Sequence, residues 1–273
     1  MLFNKDRSRQ LQWRWRLATA GLRALPDLVI LGAQKAGTTS LFHYLGQHPE
    51  VIRPFRKEVH FFDHNFEARP RWYRAHFPLS RQLEDGRITF EASPLYLFHP
   101  LSAERMAGIV PKAKLIAILR DPVERAISHY FMERRKGRDR LPLRDALAAE
   151  EQRLAGPIAE RDYAFPGFAH FSYKSRGHYA EQLERYRAVF PAEQLLVLGS
   201  DDLFDQPEQT LRRVFEFAGV DPSFTVADLE ARNTGHNRTE ADPGIVAELE
   251  DYFRPHNERL YRLIGRNLGW GGE

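Results

Sequence analysis

The chain has 273 residues, 42% of them hydrophobic and 28% charged, with a formal net charge of +3. That balance is ordinary for a soluble globular protein and too mildly basic to argue for a nucleic-acid partner; it suits an enzyme with an anionic ligand. With no cysteine, disulfides, thiolate metal sites and a cysteine nucleophile are excluded, and a reducing, cytoplasmic setting is expected.

Residues 1–26 read as a basic N-terminal arm. Lys5, Arg7, Arg9, Arg14, Arg16 and Arg23 stand among Leu11, Trp13, Trp15 and Leu17, without the uninterrupted apolar run of a signal peptide. No stretch approaches the ~20 apolar residues of a membrane span. A partly ordered arm is the expectation, and peripheral contact with an anionic membrane is the role its composition would suit. Residues 27–273 read as one domain.

That domain opens with a buried strand at residues 28–31, a glycine-bearing turn at 32–37 and a helix over 38–46, ended by His48-Pro49. Residues 51–78 are irregular and aromatic, able to pack over a sheet edge or wall a pocket. A short strand follows at 88–91, then a helix over 102–109. Lys114–Leu119 is a continuous apolar strand, and Asp121-Pro122 starts the next helix as N-cap and first helical residue. A helix is expected over 141–154, a loop over 155–173, and a helix from near Arg176. A strand at 194–198, a helix through Leu211–Ala218, a polar loop over 224–242 and a helix over 243–263 complete the chain. Strands alternating with helices at this spacing predict a single α/β domain with a mostly parallel sheet flanked by helices.

Gly32-x4-Gly37 after a buried strand makes an anion cradle: backbone N–H groups and a helix dipole face one point, and Lys35 adds a mobile cation. It is P-loop-like, but Thr38 stands where a nucleotide triphosphatase carries lysine. A structural turn with an incidental lysine is the bland alternative. At the second strand–helix junction, a cap explains Asp121 and Pro122 but not Arg120, which stands where ligands of open α/β sheets sit. Lys57-Glu58-Val59-His60-Phe61-Phe62-Asp63 brings two carboxylates and an imidazole together. On residue type alone Glu58 and His60 are equally reasonable bases, and a surface ion pair of Glu58 with Lys57 or Arg56 is the alternative.

Lys35-Ala36-Gly37-Thr38-Thr39-Ser40 resembles the 5′-phosphosulfate-binding loop of sulfotransferases that use 3′-phosphoadenylyl sulfate (PAPS). Arg120-Asp121-Pro122 through Ser128-His129-Tyr130 resembles their 3′-phosphate-binding element. Lys57–Asp63, and Gly177-His178-Tyr179 leading into Leu183 and Tyr186, are similar to the heparan sulfate glucosaminyl sulfotransferase group. The resemblance spans roughly residues 27–270. It implies PAPS as donor and adenosine 3′,5′-bisphosphate (PAP) as product, bound by Lys35, Ala36, Gly37, Thr38, Thr39, Ser40, Arg120 and Ser128. It further implies Glu58 as general base, Lys35 and His60 as catalytic partners, and Asp63 and Tyr179 at the acceptor, with no metal. The group's Lys-Gly-Arg loop is missing; Gly235-His236-Asn237-Arg238 lies at a similar place, so Arg238 is the expected substitute. A carbohydrate or glycolipid acceptor is expected first and a small molecule second. Two other classes stay open at this point: a P-loop-like kinase or nucleotide hydrolase, and a non-catalytic module for nucleotides or polyanions.

Overall fold

Two continuous apolar runs set the centre of the fold. In the computed structural model, which describes residues 2–231 and 241–271, β1 (Leu28–Gly32) and β4 (Lys114–Leu119) lie side by side and parallel. Every residue of β1, and all of β4 but Lys114, is buried, as strands covered on both faces must be. β3 (Ile88–Ala92) pairs with the other edge of β1, β2 (Val51–Ile52) with β3, and β5 (Leu195–Gly199) with β4. The result is a parallel five-stranded sheet in the order β2-β3-β1-β4-β5.

The helices start and stop where their terminal residues allow. α2 (Thr38–Leu45) follows β1, and α5 (Pro122–Arg135) follows β4. Asp121 caps α5, accepting the Val123 N–H at 2.8 Å, and Pro122 opens it. α12 (Pro243–Ile264) repeats the device with Asp242 and Pro243, then ends on Gly265 at φ 67°. α4 (Ser102–Ile109) and α11 (Pro207–Ala218) fall where the apolar spacing puts them. α9 (Tyr179–Arg187) starts three residues later than expected because residues 175–177 form a separate 3₁₀ turn.

Three segments differ from the sequence-based expectation. The 141–154 helix is two helices, α6 (Leu143–Ala148) and α7 (Glu150–Ala159). The 155–173 loop therefore contains the end of α7 and a short α8 (Pro166–His170). The irregular stretch 51–78 holds β2 and α3 (Arg69–Arg74). The N-terminal segment is also more ordered than a loose arm. It forms α1 (Leu2–Ala18), whose Trp13 ring stacks on Phe55 and touches Trp72 and His76. Arg16 donates to the carbonyls of Ala75 and Phe77, both at 2.6 Å. Among the described residues no helix is long and apolar enough to cross a membrane.

Candidate functional site

The turn after β1 is held from both sides. Gly32 has φ 151°, and a Cβ there would lie 2.8 Å from the Pro94 carbonyl oxygen, so the close approach of the segment after β3 requires glycine. The Ala33 N–H donates to the Ile118 carbonyl at 2.6 Å, tying the turn to β4. Lys35 and Gly37 both take positive φ, 73° and 103°. α2 begins at once, with no side chain capping its N-terminus. Its first N–H groups therefore face the turn with their dipole, a ready anion site. Lys35, Gly37 and Thr39 are partly exposed along it, while Ala36, Thr38 and Ser40 are buried.

The second junction, after β4, meets the first. Arg120 donates to the Lys35 carbonyl at 3.2 Å and pairs with Glu124 at 2.7 Å. Ser128, two turns into α5, is fully buried, and its hydroxyl has no hydrogen-bond partner among the described residues. Nearby on the same helix Arg125 leaves Nε and Nη1 unpaired, and both ring nitrogens of His129 are unpaired too. Arg176 reaches in from the 3₁₀ turn before α9, donating to Gln34 Oε1 at 2.6 Å and to Ser172 Oγ at 2.7 Å. Burial, then the repulsion of Arg125, pulls the Arg176 guanidinium down to about 9. The Lys35 ammonium is lowered by burial and by Arg135, Arg120 and Lys136. So much buried positive charge is costly unless an anion compensates it. The orphaned hydroxyl and cations thus fit a phosphate-bearing ligand.

The Lys57–Asp63 segment turns back over the end of β3. The Glu58 N–H donates to the Ala92 carbonyl at 3.0 Å, the His60 N–H to Ser93 Oγ at 3.1 Å and the Phe61 N–H to the Tyr96 hydroxyl at 2.7 Å. Phe61 and Phe62 are fully buried, with Phe61 stacked on Tyr73 at 4.4 Å, and anchor the turn in the core. Glu58 and His60 sit in left-handed backbone, φ 59° and 54°. Non-glycine residues pay about 1–3 kcal/mol for this, and such strain gathers at functional sites.

The charges of the turn are coupled. Glu58 pairs with Lys57 at 2.5 Å and faces His60 Nε2 at 3.7 Å, while His60 Nδ1 meets Asp63 Oδ2 at 2.7 Å. The His60 hydrogen bond, against burial and with Lys57, holds Glu58 down to about 2. Burial pulls His60 down, but its bonds to Asp63 and Glu58 outweigh that and hold it up at about 9. The Asp63 charge raises Arg176 and the Arg176 charge lowers His64, so this turn lies within electrostatic reach of the guanidinium that bonds Gln34.

Two residues expected at the acceptor are engaged with neighbours of their own. Tyr179 is buried, and its hydroxyl donates to the Arg120 carbonyl at 2.9 Å; it props the end of β4. The Asp63 carboxylate is buried and taken up by His60 and by the His64 N–H at 2.6 Å, so it orients the imidazole. Arg238 lies outside the described residues. Arg125 and Arg176 escaped sequence reasoning; an arginine at an inward helical position was the only available sign. Among the described residues, two His/carboxylate groups have the spacing to share a cation, His60-Asp63-His64 and His178-Glu181-His256. In both, the carboxylate already has a partner: Asp63 is bound to His60 and Glu181 to Arg259.

Residues 25–243 match the family model described as "Sulfotransferase domain". Human heparan sulfate glucosamine 3-O-sulfotransferase 3A1 is 31% identical over 278 residues, which is 94% of this chain and 65% of that protein. This chain thus spans somewhat under two thirds of that relative. The crystal structure of a sulfotransferase from Alicyclobacillus acidocaldarius superposes with a TM-score of 0.70 at 34% identity, covering 90% of this chain and 98% of that one. Mouse sulfotransferase SULT7A1 complexed with PAP gives a TM-score of 0.50 at 11% identity over 88% of each chain, a likeness of fold alone.

Proposed function

The chain belongs to the sulfotransferase domain family, and from that we propose that it moves a sulfuryl group from PAPS to a hydroxyl or amine of a carbohydrate or glycolipid, with Glu58 as general base. Family membership displaces the kinase, hydrolase and binding-module alternatives. One observation carries the donor assignment: the buried Ser128 hydroxyl has no partner among the described residues, and Arg125, one turn earlier on α5, has unpaired guanidinium nitrogens. On this reading Arg120 and Ser128 hold the 3′-phosphate. Lys35 and the N–H groups of residues 37–40 hold the 5′-phosphosulfate.

The acceptor oxygen or nitrogen attacks sulfur in line, the bond from sulfur to the bridging phosphate oxygen breaks, and PAP leaves with the bonding pair. Negative charge grows on that oxygen, and on this reading Lys35 and the helix N-terminus stabilise it. The acceptor's proton goes to a base. His60, held up at about 9, is cationic at neutral pH and has no lone pair to offer, which favours Glu58, ionised down to about 2. His60 and Lys57 then keep the carboxylate in place. A sulfuryl group carries less charge than a phosphoryl group, so the cations of this chain suffice on this reading. Arg135 and Lys136, exposed and close enough to act on Lys35, suit an anionic acceptor, in keeping with the heparan sulfate in the human relative's name.

Transfer from [35S]PAPS to a panel of glycans that includes heparan sulfate tests the reading. Glu58→Gln should lower kcat by about 10²-fold or more and leave PAP affinity intact. A variant that transfers at the wild-type rate would remove Glu58 from the mechanism.

A further inference from the structure

Glu91, in β3, is fully buried and has no part in the chemistry above. It makes no ion pair among the described residues. Instead its carboxylate accepts three hydroxyl protons: one from Tyr73 of α3, one from Ser93 at 2.9 Å and one from Tyr96 at 2.6 Å. Burial raises it to about 7 against the pull of those three donors, with the Asp63 charge adding to the rise.

Two of the three hydroxyls have a second duty. Ser93 Oγ accepts the His60 N–H and the Tyr96 hydroxyl accepts the Phe61 N–H, whereas the Tyr73 hydroxyl holds no backbone of the turn. A hydroxyl has one proton and two lone pairs. By taking the protons of Ser93 and Tyr96, the carboxylate directs their lone pairs toward the turn. There, Glu58 and His60 hold the left-handed backbone that must be paid for by its surroundings.

We propose that Glu91 is a positioning residue that, through Ser93 and Tyr96, fixes the Glu58–His60 turn in its reactive geometry. The catalytic consequence rests on the sulfotransfer reading above; the geometric one does not. Replacing the carboxylate removes or weakens the acceptor that draws the Ser93 and Tyr96 protons away from the turn, and so loosens the orientation of the lone pairs that hold the His60 and Phe61 N–H groups.

The three hydroxyls allow a test that separates positioning from mere packing. In the full chain, the His60 imidazole is titrated by NMR for wild type, Glu91→Gln, Ser93→Ala, Tyr96→Phe and Tyr73→Phe. PAP affinity and [35S]PAPS turnover on heparan sulfate are measured beside it. Each phenylalanine keeps its ring and loses one bond to Glu91, but only Tyr96→Phe also frees the turn. Ser93→Ala, Tyr96→Phe and Glu91→Gln should move the His60 titration from about 9 toward the ordinary 6.5. They should lower kcat about tenfold or more, with the donor KM and PAP affinity nearly unchanged. Tyr73→Phe should lower the melting temperature alone. Equal effects of Tyr73→Phe and Tyr96→Phe, or a His60 titration unmoved in every variant, would overturn the proposal. If Glu91→Gln does not fold, the tyrosine pair decides. Because the imidazole titration needs no acceptor, loss of the sulfotransfer reading would leave it interpretable.

Discussion

At neutral pH Glu58 and His60 form one ion pair in which the histidine is the proton-bearing partner, and this has a thermodynamic consequence. His60 is held up at about 9, above the 6.5 of an ordinary histidine, so the folded protein binds that proton more tightly than the unfolded chain. The resulting stability is complete below pH 6.5 and is lost as pH rises through about 9. The melting-temperature advantage of wild type over His60→Gln should therefore shrink across that window, by roughly 2–4 °C per kcal/mol lost. Parallel curves from pH 6 to 10 would contradict the coupling. The residues of this pair were legible because Lys57–Asp63 packs two carboxylates and an imidazole into one short word. Which of them carries the proton was not, since that depends on Asp63 being buried against His60. Glu91 left no trace in the sequence either. Its hydroxyl partners Tyr73 and Tyr96 lie 18 and 5 residues away, and only the fold joins them.

Among the elements, the β1–α2 junction answers to single substitutions. Gly37 combines φ 103° with a Cβ position 3.0 Å from the Phe204 ring, so Gly37→Ala strains the backbone and displaces the ring together. It should weaken PAP binding more than it lowers the melting temperature, read by calorimetry and thermal scans; the reverse order would make the glycine a packing residue only. α1 makes a different prediction. Arg16→Ala leaves the Ala75 carbonyl without its side-chain donor, which costs about 1–3 kcal/mol, and removes one of two donors to the Phe77 carbonyl, which Arg23 still holds at 2.8 Å. Its melting temperature should drop by several degrees with PAP affinity unchanged. The helical state of α1 was hidden because its basic residues interrupt the apolar spacing, and one of them, Arg16, faces inward to bind backbone carbonyls. β2 was hidden for a simpler reason. Two residues are too few to carry a period.

Across the whole molecule, the sheet order places the C-terminal ends of β1 and β4 side by side at the point where connections leave to opposite sides. The parallel sheet was legible because β1 and β4 are unbroken apolar runs, and the two strand–helix junctions because each follows such a run. What long-range packing adds is the buried cationic lining, Arg125 and Arg176, supplied from α5 and from the turn before α9. On the proposed reading, Arg120 and the unpartnered Ser128 hydroxyl make the 3′-phosphate the discriminating feature of the ligand. Calorimetric titration with PAP, adenosine 5′-monophosphate and ATP, each with and without magnesium, measures that directly. Tight, magnesium-independent binding that needs the 3′-phosphate, and weakens about tenfold in Arg120→Ala and in Ser128→Ala, is the expected result. Preference for magnesium–ATP with indifference to the 3′-phosphate would contradict the proposed donor site.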